Sequence, residues 1–101
     1  MARRKFEEAE IKAELGKLHG WALADDAGSI NKQFAFSNFP EAFAFMTEVA
    51  LTAEKLDHHP DWRNVYSRVD VSLSTHDVGG LTELDFKLAH AADRAASRLR
   101  V

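Results

Sequence analysis

The 101-residue sequence predicts an α+β fold, α-β-β-α-β-β-α, in which helices pack on one face of a four-stranded antiparallel sheet. Three observations carry that expectation. Two stretches, one central and one C-terminal, repeat apolar residues at intervals of three and four behind capping signals. Two pairs of short apolar runs each flank a turn-forming cluster. No linker, repeat or low-complexity tract separates these units, so residues 1–101 read as one domain, near the usual size of about 100–200 residues.

The first helix is expected over residues 4–17, with Phe6, Ile11, Leu15 and Leu18 at a loosely helical interval and Gly16 or Gly20 ending it. Residues 21–24 and 30–36 then flank Asp25, Asp26, Ala27, Gly28 and Ser29, a hairpin pattern. Asn38 suits an N-cap, with Pro40 in the first turn and Glu41 at the third helical position to complete a capping box. Phe39, Ala42, Phe43, Met46, Val49, Ala50, Ala53 and Leu56 follow as one broad apolar face over about five turns. Phe45 and Leu51 lie off that stripe and point to a second buried face. The stripe of Phe39, Phe43 and Met46 is read as core or helix–helix contact. Pro60 cannot continue a helix and biases His59 towards extended geometry.

Residues 63–66 read as a short strand. Val69, Val71 and Leu73 then alternate with Arg68, Asp70 and Ser72, giving one core face and one wet face. After "STHDVGG", Thr82 caps the last helix with Asp85 three residues on, and Leu81 and Phe86 form a hydrophobic staple. Leu84, Leu88, Ala91, Ala92, Ala95 and Leu99 make its buried stripe.

Composition narrows the function classes. Thirteen Lys and Arg against 16 Asp and Glu give a net charge of −3, with no basic block to track a phosphate backbone, which argues against direct nucleic-acid binding. There is no cysteine, so neither a disulfide nor a thiolate metal site can form. The opening "MARRKFEEAEIKAELGKL" carries Glu7, Glu8 and Glu10 and no continuous apolar stretch, so neither a signal peptide nor a membrane span is expected there. A soluble, cytoplasmic protein is the expectation. Small domains bury a smaller share of their surface, so an oligomer would help to stabilise this one.

Groups that can titrate or coordinate gather in two loops, "DHHPDW" and "STHDVGG". A hairpin between them would return the chain to the same edge, so His58 and His76 can meet. The plainer reading is also open: consecutive histidines at a helix C-terminus gain from the macrodipole and serve as solvated surface residues. A metal site of His58, His59, His76 and Asp77 lacks the helical two-histidine spacing of zinc motifs, and no metal is expected. Asp85 is accounted for by its capping box. Gly79 and Gly80 read as turn residues, Trp21, Trp62 and Tyr66 as core or interface aromatics, and His19 and His90 as ordinary helix-end and helix-face residues.

The run "AEKLDHHPDWRNVYSRVDVSLSTHDVGGLTELDFKLA", with the upstream "GW" and "FAFSNFPEAFAFMTEVALTAEKLDHHP", resembles the pterin-4a-carbinolamine dehydratases over nearly the whole chain after the first helix. The Lys-x-x-His-His-Pro-x-Trp run, the Val-Tyr pair and the Ser-Thr-His before the last helix carry the likeness. The resemblance implies removal of water from 4a-hydroxytetrahydropterin to give the quinonoid dihydropterin, within recycling of the pterin used by aromatic amino acid hydroxylases, with no cofactor. It assigns the catalytic site to His58, His59 and His76. His58 and His76 then do acid/base work, and His59 positions the substrate. Imidazole, with a pKa near 6.5, can give or take a proton at neutral pH. Asp57 would orient a histidine or favour its charged form, and Ser74, Thr75, His76 and Asp77 look like the family's pterin-contacting edge.

Some departures stand out: Arg63 replaces an apolar aromatic of vertebrate members, Asp70 a histidine, and Asp77-Val78-Gly79 a Glu-Cys-Ala. Some animal members also serve as dimerization cofactors of a hepatocyte nuclear factor, through the helix face that makes their homotetramer. Here that face would be the long helix from Phe43 to Leu51, with self-assembly, as a dimer or tetramer, the favoured use and a transcription-factor dimerization domain the rival partner. A coactivator role would add a nuclear location.

Overall fold

A computed structural model describes residues 3–99; Met1, Ala2, Arg100 and Val101, part of the expected single domain, lie outside the described residues. In order, the elements are α1 (Glu8–Leu15), β1 (Ala22–Leu23), β2 (Ile30–Ala35), α2 (Phe39–Leu56), β3 (Asp61–Val65), β4 (Arg68–Leu73), a 3-10 turn (His76–Val78) and α3 (Glu83–Leu99). The strands form one antiparallel sheet in the order β1-β2-β4-β3. The α+β class and the element order are as the sequence predicts.

Alternation in β4 sends Val69, Val71 and Leu73 into the core, beside Ile30 and Phe34 of β2. The other face carries polar rows, such as Gln33, Asp70 and Arg63 level with one another across β2, β4 and β3. The helices cover the apolar face. Alanines 89, 92, 95 and 96 of α3 are buried, and side chains this small let α3 lie close against α2. Lys32, on the inner face of β2, sends Nζ to Asp93 Oδ1 of α3 at 2.8 Å and to the His19 carbonyl at 2.9 Å, while the Trp21 indole N–H also donates to Asp93. None of the described helices is long and apolar enough to cross a membrane.

Several boundaries differ from expectation for identifiable reasons. α1 starts at Glu8, not residue 4, because Glu7 and Glu10 form a capping box and the Phe6 N–H is drawn off to the Leu81 carbonyl. Gly16, not Gly20, caps its C-terminus. β3 starts at Asp61, immediately after Pro60, and ends before Tyr66, whose positive φ of 51° belongs to the tight turn into β4. Tyr66 is exposed and is not a core aromatic. Asn38 caps α2 as expected, accepting from the Glu41 N–H, but the Glu41 carboxylate reaches back to Ser37 N–H instead of Asn38.

The apolar face of α2 is also rotated. Ala42, Phe45, Val49 and Ala53 are the buried set, with Phe45 against Phe34 and Phe36 at 4.7 and 5.0 Å. Phe43 and Leu51 remain 54% and 69% exposed, and Phe39 and Ala50 also face out. The helix carries more apolar residues than one face holds, and the rings of Phe34 on β2 and Phe36 just after it select Phe45.

Candidate active site

α2 ends because Asp57 adopts the left-handed conformation (φ 52°, ψ 45°) and Pro60 forbids another turn. The His58 N–H then bonds back to the Ala53 carbonyl at 3.0 Å. This reversal separates the doublet. His58 turns under the helix end and is 4% exposed, whereas His59 faces solvent with Nε2 3.0 Å from Glu54 Oε1.

The sheet brings the second loop alongside. Asp61 pairs with Ser72, so the same register continued beyond the strand ends sets His58 level with Thr75. Thr75 is buried and closes a small loop with Gly80 through the Thr75 N–H to Gly80 carbonyl bond at 2.8 Å. His76 opens the intervening 3-10 turn and is exposed, and its ring makes no hydrogen bond among the described residues.

Beneath both loops lies Asp85, fully buried in the first turn of α3. Its Oδ1 is 2.5 Å from His58 Nε2, while Oδ2 accepts from the Thr75 hydroxyl at 2.8 Å and the Thr82 N–H at 2.9 Å. The cap geometry expected for Thr82 and Asp85 is present, but the carboxylate does more than cap. A helix-capping pattern three residues long explains Asp85 locally and hides its link to a histidine 27 residues away. No sequence signal pairs the two.

A second residue outside the sequence expectation is Arg3. One guanidinium nitrogen donates to the Asp57 carbonyl at 2.5 Å and the other contacts Asp77 Oδ2 at 3.3 Å, tying the doublet loop to the His76 loop. With Asp57, His59, Asp77 and Val78 it lines an open pocket of about 600 Å³. Of the three histidines the sequence singles out, only His59 lines it; His58 and His76 do not. No group of three or more His, Asp or Glu among the described residues is arranged to hold a metal ion.

Known proteins resemble the chain over nearly its whole length. The family model for pterin 4 alpha carbinolamine dehydratase matches residues 4–95. A Rhizobium etli protein provisionally named pterin-4-alpha-carbinolamine dehydratase is 65% identical over 98 residues, covering 97% of each chain. A Rhizobium meliloti protein with the same provisional name is 59% identical over 96 residues, 95% of this chain and 92% of the other. The crystal structure of a transcriptional coactivator/pterin dehydratase from Brucella melitensis superposes with a TM-score of 0.89 at 46% identity, covering 92% of this chain and 99% of that one. A pterin dehydratase-like RuBisCO assembly factor of the alpha-carboxysome, 24% identical with a TM-score of 0.66 over 77% of this chain and 90% of its own, shares the fold.

Proposed function

The chain belongs to the pterin-4a-carbinolamine dehydratase family, and from that premise we propose that it dehydrates 4a-hydroxytetrahydropterin to the quinonoid dihydropterin. The C4a–O bond breaks, a proton reaches the departing hydroxyl to make water, N5 gives up its proton, and a C4a=N5 double bond forms. The step asks for proton transfer alone. His58 and His76 are the proposed acid/base pair, and His59 positions the substrate, with Asp57 and the 74–77 segment contacting the pterin edge. A general acid or base of this kind contributes about 10²–10⁴-fold.

One observation supports this reading above the others: the Arg3 guanidinium ties the His58–His59 loop to the His76 loop through the Asp57 carbonyl and the Asp77 carboxylate, beside an open concavity that His59 lines. Charged donors and acceptors at its wall match a bicyclic ring bordered by amide-like groups. The product would return to the tetrahydro form through a reductase, in the cytoplasm, as part of pterin recycling. Stopped-flow decay of 4a-hydroxytetrahydropterin, read as the excess over the uncatalysed rate, tests the proposal. His58→Ala and His76→Ala should each lose most of that excess; wild-type rates in both would remove their acid/base roles.

A second reading concerns association. Phe39, Phe43 and Leu51 leave an apolar strip on the outer side of α2, which favours a protein contact there. Self-assembly into a dimer or tetramer is the proposed use, with a helical dimerization domain of another protein as the rival occupant. Sedimentation of the purified chain separates them: a stable homo-oligomer supports the first, and a monomer that associates only when a partner is added supports the second.

A further inference from the structure

We propose that Asp85 is a positioning residue that holds His58 as its Nε2–H tautomer, so that Nδ1 is the nitrogen His58 presents to a substrate. This rests on the dehydratase reading for its role in turnover, but the tautomer itself is a property of the free protein.

The hydrogen-bond inventory around the carboxylate leaves little freedom. Thr82 Oγ1 accepts from the Leu84 N–H at 3.2 Å, and it is 2.9 Å from Thr75 Oγ1. Thr75 has one hydroxyl proton, and that proton goes to Asp85 Oδ2. The Thr82 hydroxyl must therefore donate to Thr75. The chain runs one way, from Leu84 N–H through Thr82 and Thr75 to Asp85, and such chains polarise and strengthen each member. Oδ2 receives a second donor from the Thr82 N–H. Both donors fix the orientation of the carboxylate, and Oδ1 is left facing His58 Nε2 at 2.5 Å. A carboxylate oxygen has no proton to give, so Nε2 carries it.

The consequence falls on the other ring nitrogen. His58 Nδ1 makes no hydrogen bond among the described residues, yet it is not among the side-chain atoms sealed from solvent without a partner. It is an open acceptor at the edge of a nearly buried ring. When Nδ1 takes a proton, the resulting imidazolium lies against the Asp85 carboxylate, and the buried pair is neutral overall.

Asp85→Asn makes a sharp test. The two donors at Oδ2 demand the amide oxygen there, which turns the amide NH₂ towards Nε2. Nε2 must then accept, and the ring proton moves to Nδ1, closing the acceptor. Nitrogen-15 NMR of the free protein should show the His58 proton on Nε2 in the wild type and on Nδ1 in the variant. The kcat for dehydration should fall by about 10²–10⁴-fold, the scale seen when a catalytic histidine is held in the wrong tautomer, with KM changed far less. An Nδ1–H tautomer in the wild type overturns the proposal, and that measurement stands even where Asp85→Asn does not fold. A switched tautomer with unchanged kcat overturns Asp85's role in turnover and leaves the dehydratase reading intact. No dehydration by the wild type overturns the dehydratase reading and Asp85's role in turnover together, and the spectrum still decides the tautomer.

Discussion

Replacing Phe45 with alanine should cost about 3–5 kcal/mol, the usual loss for a fully buried aromatic. Phe45 has no exposed surface, and its ring sits 4.7 and 5.0 Å from those of Phe34 and Phe36. Removing it forfeits about 2–3 kcal/mol of transfer free energy, and the rest comes from a cavity that two rings on the sheet cannot collapse to fill. Phe43, two residues earlier, is 54% exposed. Less than half of the transfer contribution applies to it and no cavity forms, so Phe43→Ala should cost about 1 kcal/mol in the isolated chain. At about 4–8 °C per kcal/mol for a domain of this size, the two variants should melt at least about 8 °C apart. Urea unfolding followed by the fluorescence of Trp21 and Trp62 measures both, and it should be run at several protein concentrations. If the outer face of α2 is an assembly surface, the Phe43 cost grows with concentration while the Phe45 cost does not. A loss below about 1.5 kcal/mol for Phe45→Ala, or equal losses for the two in dilute monomer, would refute this account of which face α2 buries.

Glu10 is held well below its ordinary 4.5, at about 2, first by the Arg4 guanidinium and then by the Glu7 N–H. A depressed carboxyl favours the folded state above its unfolded value, so its contribution disappears as pH falls from about 4.5 through about 2; Glu10→Gln should flatten acid unfolding of α1 in that window, seen by amide NMR. Asp93→Ala should cost about 2–3 kcal/mol in chemical denaturation, less than a fully buried pair because Lys32 and Asp93 stay 18% and 27% exposed. A loss under about 0.5 kcal/mol would show that Lys32 and Trp21 find other partners. In the proposed dehydration, Arg3→Ala should raise KM about tenfold, equivalent to one charge-assisted hydrogen bond, with the melting temperature little changed. An unchanged KM would remove Arg3 from the site.

Much of this molecule is legible in the sequence because its signals are local. Capping residues Asn38 and Thr82, the helix-stopping Pro60 and the alternation of Val69, Val71 and Leu73 act within a few residues of themselves, and each does in the structure what its chemistry requires. What the sequence hides depends on distant partners. The buried face of α2 is decided by Phe34 on β2 and Phe36 just beyond it, so of the residues expected to be buried Phe45 is, whereas Phe43 and Leu51 face out. α1 begins late because Leu81 competes for the Phe6 N–H. At the site, the histidine doublet and its Pro are plain to read, whereas the opposite orientations of His58 and His59 follow from the left-handed Asp57. Asp85 and Arg3 carry no motif that names them, since their partners lie 27 and more than 50 positions away.

Arg3 reaches both histidine loops from a stretch that belongs to no helix or strand, anchored by the Phe6 N–H on Leu81. A protease cut before Phe6 would therefore remove the clamp between the two loops while every histidine stayed intact. For anyone preparing the protein, intact mass at the leading end becomes a quality control for tests of the proposed dehydration, because a clipped sample keeps all three candidate histidines and loses Arg3.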